Sequence, residues 1–259
     1  MPIAFTRAVS PKLAECELTH LQRSPIDPVR ASQQHDAYEA ALRKAGFKVV
    51  RLPDLPDHAD GVFVEDTALL LDGRAIITRP GAASRATETE STALGLADHF
   101  ELHRLTDGFV DGGDVLVIGK TLYVGLSTRT DAAGLNGLQE LAGPLGFEVV
   151  EAELKDCLHL KSGATFVGPD AAGTPVLLYS RDSVDPGQFV GAEPVAVVDD
   201  EAEAANVVRA GEHLILPAGN PRTAAMLRKR GFRLIEVDVS ELQKAEAGVT
   251  CMSLIASAS

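Results

Sequence analysis

The 259 residues carry 24 lysines and arginines against 37 aspartates and glutamates, a net charge of −13, and 45% of them are apolar. That balance suits a chain with a buried core and excludes a basic nucleic-acid binder. No apolar run approaches the roughly 20 residues that span a bilayer, and Cys16, Cys157 and Cys251 form neither a disulfide framework nor a CxxC pair.

The N-terminal MPIAFTRAVSPK lacks the charged-then-apolar pattern of a secretory signal, so a cytoplasmic location is expected. PIAFTRAV (2–9) reads as a strand without a local partner. A helix near 28–45 runs into AALRKAGFKVVRL (40–52), where Gly46 supplies a left-handed stop before an apolar strand. ALLLDGRAIITRPG (68–81) is two apolar runs split by Asp-Gly, a hairpin signal. Ser84 is the expected start of the next helix, which ends in ALGLADHFELHRL (93–105) with His99 where the glycine would be. VLVIGKTLYVGLS (115–127) is a second hairpin. Ser127 or Thr128 should start the helix that closes through Gly146 in LQELAGPLGFEVVEAEL (138–154). TFVGPDAAGTPVLLYS (165–180) and VVRAGEHLILPAG (207–219) are further hairpins. Asn220-Pro221 starts a helix that stops at Gly231 in AAMLRKRGFRLIEVDV (224–239). CMSLIA (251–256) then supplies a first strand for PIAFTRAV, closing the chain on itself.

Five units of hairpin, helix and strand, at a period of roughly 42–50 residues, imply a ring in which each unit buries its apolar face against its neighbours. The expected architecture is a five-fold pseudo-symmetric α/β propeller of ββαβ units, one domain over residues 1–259.

The out-of-place polar residues share one repeat position, at or just before the first strand of a unit: FVEDTA (63–68), DGGDVL (111–116), CLHLKSG (157–163) and GVTCMSL (248–254). Equivalent positions in a ring meet at one end of its axis. Glu65, Asp66, Asp111, Asp114, His159 and Cys251 should therefore converge as a nucleophile, an acid/base and a cation clamp. Glu201 and Glu203 hold the same position in the fourth unit, without assignable chemistry. His99 and His103 are four apart but straddle a helix end and a strand, so no metal site is expected there.

With ECELTH (15–20), ITRPGAASR (77–85) and GLSTRT (125–130), these motifs resemble the dimethylarginine dimethylaminohydrolase family of the pentein, or guanidino-group-modifying, superfamily, over essentially the whole chain. The resemblance implies hydrolysis of Nω-methylated arginine to citrulline and a methylamine, with no cofactor and no metal. It implies that Cys251 attacks the guanidinium carbon, that His159 is the general acid and later the base, and that Asp111 orients His159. Glu65 and Asp66 would take the guanidinium, Arg85 and Arg129 the α-carboxylate, and Asp60 the α-amine. Leu18 and Ala245 would contribute backbone contacts. Glu246 stands where some relatives have Asp.

The chemistry agrees with the motifs. A delocalised guanidinium is a poor electrophile, and charge-assisted bonds to carboxylates fix its orientation. Acidic neighbours should raise a cysteine's pKa, so the bound cation itself would help form the thiolate. A small cationic amino acid is the expected partner, and nucleic acid and membrane are not. Monomer and homodimer both remain open. The rival enzyme reading is an arginine or agmatine deiminase; a non-catalytic ribosome-binding ring would lack the Cys–His–acid set, and a peroxidatic thiol would need no guanidinium clamp.

Overall fold

Five three-stranded sheets are arranged as a ring in the computed structural model, which describes residues 1–256. The chain begins with β1 (Ile3–Thr6), α1 (Pro28–Lys44) and β2 (Lys48–Arg51). Asp27 caps α1 by accepting from the amides of Val29 and Arg30, Pro28 occupies the first turn, and Arg43 and Lys44 the last. The next unit holds β3 (Ala68–Leu71), β4 (Arg74–Ile77), α2 (Glu88–Leu96) and β5 (Glu101–Arg104). It is followed by β6 (Val115–Ile118), β7 (Thr121–Gly125), α3 (Ala132–Ala142) and β8 (Glu148–Ala152). A one-turn helix, α4 (Leu160–Gly163), leads into β9 (Ala164–Pro169), β10 (Pro175–Tyr179) and β11 (Glu193–Ala196). β12 (Val208–Ala210), β13 (His213–Pro217), α5 (Pro221–Lys229), β14 (Arg233–Val237), the short α6 (Ser240–Gln243) and β15 (Leu254–Ala256) complete the order.

Every sheet repeats one pattern. The middle strand pairs antiparallel with the first strand, across a turn in four of the five sheets, and parallel with the last strand. The terminal sheet is assembled from both chain ends, with Phe5 opposite Leu254 and Ile3 opposite Ala256. Gly46, Gly146 and Gly231 take φ of +95°, +77° and +87°, the left-handed stops that carry each helix into its outer strand.

Three local expectations are corrected. α2 starts at Glu88 behind a 3-10 turn (Ala83–Arg85) that contains Ser84, so Ser84 does not cap it. α3 is capped by Asp131, which accepts from Gly134 N, while the Ser127 hydroxyl accepts from the amides of Arg129 and Thr130 in a tight polar turn. The unit of β9, β10 and β11 has no helix after its hairpin. Asp185-Pro186-Gly187 makes a single 3-10 turn there, and Gly191 follows at φ +93°.

A short turn precedes each first strand: Val64–Thr67, Gly112–Asp114, α4, Ala202–Ala205 and Thr250–Met252. These turns pack in succession around the centre of the ring. Asn206 closes the circle, donating to Lys161 O and Thr250 Oγ1 and accepting from Thr250 N. The apolar clusters lie outside this polar hub, between sheets and helices. Among the described residues, no helix is long and apolar enough to cross a membrane.

Candidate active site

The hub turns do not present all their side chains to the same end of the axis. One cavity, of about 30 Å3, is lined by Asp66, Asp111, His159 and Cys251, with Asp60, Arg85, Arg129 and Ala245 completing its wall. Eight of the ten residues singled out from sequence therefore share it. Leu18 is half-buried on the loop after the first 3-10 turn and is not itself in the lining, though its neighbour Glu17 is. Glu65 opens on a second cavity, of about 270 Å3, lined by the first strands of the sheets.

DGGD is built for close approach. Asp111 Oδ2 lies 3.0 Å from His159 Nε2, and Asp111 Oδ1 accepts from Gly81 N. A β-carbon at Gly113 would stand 2.8 Å from His159 Nδ1 and 2.9 Å from Asp66 Oδ1, so only glycine lets both side chains pack on this backbone. Gly113 N also donates to Asp66 Oδ1. Asp114 accepts from Ser127, Thr130 and the Leu160 amide, which fixes the turn carrying His159.

His159 is fully enclosed. Burial disfavours its charge, but the carboxylates of Asp66, Asp114 and Asp111 outweigh burial and push the imidazole up to about 9. Asp66 is held below the usual carboxylate range: burial opposes this, and His159 and Arg85 overcome it. Cys251 is pushed up to about 12 by burial and by the carboxylates of Glu65 and Asp66, with Gly248 N as a weak donor 3.4 Å from Sγ. The resting site thus holds an imidazolium and a neutral thiol. Asp66, Asp111 and His159 offer ligand atoms within 4.8 Å of one another.

Arg85 is buried, and its guanidinium donates to Asp66, Glu88 and Phe63 O. Those bonds leave one NH1 hydrogen for anything in the cavity. Arg129 is half-buried, and its NH2 donates to Thr19 Oγ1. Asp60 is pushed up to about 6 by burial and accepts from Glu17 N. Glu65 is tied on the far side, accepting from Lys161 Nζ at 2.7 Å and from Thr250 Oγ1 at 2.7 Å. Lys161 stands in LHLKSG, but nothing in the sequence says which way it points. Glu201 caps α5 by accepting from the amides of Arg222 and Thr223, a structural role for a carboxylate left without one.

The comparisons agree with this geometry. The family model for eukaryotic N,N dimethylarginine dimethylhydrolase matches residues 21–172. The chain is 39% identical to an N(G),N(G)-dimethylarginine dimethylaminohydrolase of Streptomyces coelicolor, over 97% of this chain and 95% of that one. It is 35% identical to the enzyme of that name from Pseudomonas aeruginosa, over 92% of each. The crystal structure of a cysteine-to-serine variant of the Pseudomonas aeruginosa protein, complexed with citrulline, superposes with a TM-score of 0.91 at 33% identity, covering 97% of this chain and 98% of that one. A cyanobacterial arginine dihydrolase domain shares the fold at a TM-score of 0.81 and 19% identity, covering 98% of each chain. Sheets, hub and relatives together place this chain in the dimethylarginine dimethylaminohydrolase family.

Proposed function

We propose that the protein hydrolyses Nω-methylated arginine to citrulline and a methylamine through a covalent adduct on Cys251, with residues 1–259 acting as one catalytic unit. The observation that carries this reading is the gathering of a thiol, an imidazolium and a paired carboxylate in one cavity. The same cavity is lined by an acidic group, Asp60, and a guanidinium, Arg129, which suit an α-amine and an α-carboxylate.

In this mechanism the substrate cation docks against Asp66 and lowers the cost of ionising Cys251, whose proton is released. The thiolate attacks the guanidinium carbon. His159, protonated at neutral pH and oriented by Asp111, passes its Nδ1 proton to the methylated nitrogen, and the C–N bond to the methylamine breaks. The neutral imidazole then takes a proton from water as the hydroxide adds to the thiouronium carbon. Collapse expels the thiolate and, after loss of one proton, leaves the ureido group of citrulline. Arg129 and the remaining N–H of Arg85 hold the α-carboxylate, Asp60 the α-amine, and backbone groups of Leu18 and Ala245 close around it. Glu65, bound to Lys161 and Thr250, acts through its charge on Cys251 and not by touching the guanidinium.

The reading uses no cofactor. Its partner is a small cationic amino acid, and three free thiols fit a cytoplasmic setting. Citrulline release from asymmetric dimethylarginine, monomethylarginine, arginine and agmatine, assayed side by side, tests it. Turnover of neither methylated substrate would overturn the proposal.

A further inference from the structure

We propose that Glu246 is a positioning residue that latches the segment 17–21 over the catalytic cavity, before substrate arrives and again around it. The carboxylate of Glu246 accepts from three consecutive backbone amides: Thr19 N at 2.9 Å, His20 N at 2.6 Å and Leu21 N. Successive amides converging on one anion form a cradle that binds it through charge-assisted hydrogen bonds. The bonds join segments more than 220 residues apart in sequence, so they report tertiary closure and not a local turn.

Glu246 itself stands at φ +59°, a left-handed backbone that a side chain with a β-carbon rarely adopts. Its strained backbone aims the carboxylate at the lid. It also belongs to two walls at once, those of the catalytic cavity and of an adjoining cavity of about 480 Å3 that His20 and Leu21 also line. The latch therefore stands between the closed site and the larger space outside it.

Two contacts made by residues of the cavity wall also hold the same segment. Glu17 N donates to Asp60, and Arg129 donates to Thr19 Oγ1. Under the function proposed above, an incoming α-amine competes for the first and an α-carboxylate for the second. The substrate does not claim Glu246, so it can hold the lid while Asp60 and Arg129 change partners; Ser84 Oγ, which donates to Glu17, and the exposed His20–Asp156 pair add side-chain contacts but do not grip the segment's backbone.

The test begins on the free enzyme and needs no substrate. In Glu246→Ala, hydrogen exchange at the amides of Thr19, His20 and Leu21 should quicken by about tenfold or more, as expected for loss of local closure. Alkylation of Cys251 by iodoacetamide should rise by a similar factor of about ten at every pH, a parallel upward displacement that reports access and not a shifted thiol. Glu246→Gly relieves the left-handed backbone, so it should preserve or raise the melting temperature while loosening the lid in the same way. A purely structural role predicts the opposite pairing. Leu21→Pro removes one donor from the lid side and should partly reproduce the effect, with no further change when combined with Glu246→Ala.

With methylated arginine, the Ala and Gly variants should raise KM by about tenfold and alter kcat less, because the lid acts on binding. Unchanged exchange and alkylation in folded Ala or Gly variants would overturn the latch. If both respond while no citrulline forms even in wild type, the latch stands and the substrate reading fails.

Discussion

Two cavities border the polar hub of this ring without sharing a lining residue, and adjacent residues enter different ones. Asp66 looks into the small catalytic cavity and Glu65 into the larger channel. In the channel, Lys161 answers Glu65 directly, so charge is balanced within the chain. At the catalytic end, Asp66 is shared between Arg85 and His159, and burial first, then the carboxylates of Glu65 and Asp66, keep Cys251 protonated. One end is neutralised by the protein and the other awaits an external cation. Solvent exposure alone would not produce that contrast, since Glu65 and Asp66 are both buried.

The contrast breaks most severely at the nucleophile. Cys251→Ser should lower turnover by more than about 10⁴-fold, as loss of a covalent nucleophile does elsewhere, while substrate binding, read by calorimetry, remains measurable. Retained citrulline formation above a few per cent of wild type would remove Cys251 from the mechanism. Next in size is Gly113→Ala. The new methyl group must displace His159 or Asp66, so the expected loss is about 10²–10⁴-fold, that of a missing acid/base, without loss of fold. His159→Gly should fall in the same range and lose the pH dependence attributed to that imidazole.

The raised His159 also has a stability signature. Its folded pKa of about 9 lies above the ordinary imidazole value of 6.5, so its contribution is fully present below about pH 6.5 and is lost as pH rises through about 9. Denaturation of wild type against His159→Asn should show a stability difference that shrinks across that window. A difference that grew with pH would contradict the charged resting imidazole.

The thiol offers a finer test of which end needs the cation. Alkylation of free Cys251 should still be climbing at about pH 9, below its elevated pKa, and an amidinium ligand should move the midpoint of the profile down. Lys161→Met should move it up, because the charge of Lys161 lowers it. A free thiol already ionised at pH 6 would sink the substrate-assisted picture. At the channel end, Glu65→Gln leaves Lys161 without its partner, at a cost of about 1–3 kcal/mol. This is less than a fully enclosed pair would lose, since Lys161 is 17% exposed. The Glu65→Gln/Lys161→Met double variant should recover part of that loss.

Much of this was legible in the sequence, for identifiable reasons. Hairpin turns and glycine stops are local, so the repeat could be read from Asp-Gly, Gly46, Gly146 and Gly231. The convergence of Asp66, Asp111, His159 and Cys251 followed from repeat position alone. Side-chain direction did not. Glu65 and Asp66 are neighbours, and only their partners, Lys161 for one and Arg85 for the other, decide which cavity each enters. Caps failed where two polar residues compete: Ser127 serves a turn, and Asp131, four positions on, starts α3. Glu246 and the amides it holds lie more than 220 residues apart, a contact that no local pattern encodes.

The smallest expected effect concerns which guanidinium the catalytic end prefers. Plain arginine brings an extra N–H to the nitrogen that leaves, and the cavity has few acceptors for it: Asp66 already accepts from Gly113 and Arg85, and Asp111 from Gly81 and His159. Phe63 lines the same cavity and offers an apolar surface on which methyl groups can pack. A buried N–H without an acceptor costs roughly 1–3 kcal/mol. The low end of that range corresponds to a preference for methylated over plain arginine of about tenfold in kcat/KM. Phe63→Ala should erode the preference by lowering the methylated rate more than the arginine rate. If wild type turns over arginine faster, the site finds an acceptor for that hydrogen after all, and the catalytic end clasps its cation completely, as Lys161 and Glu65 clasp each other in the channel.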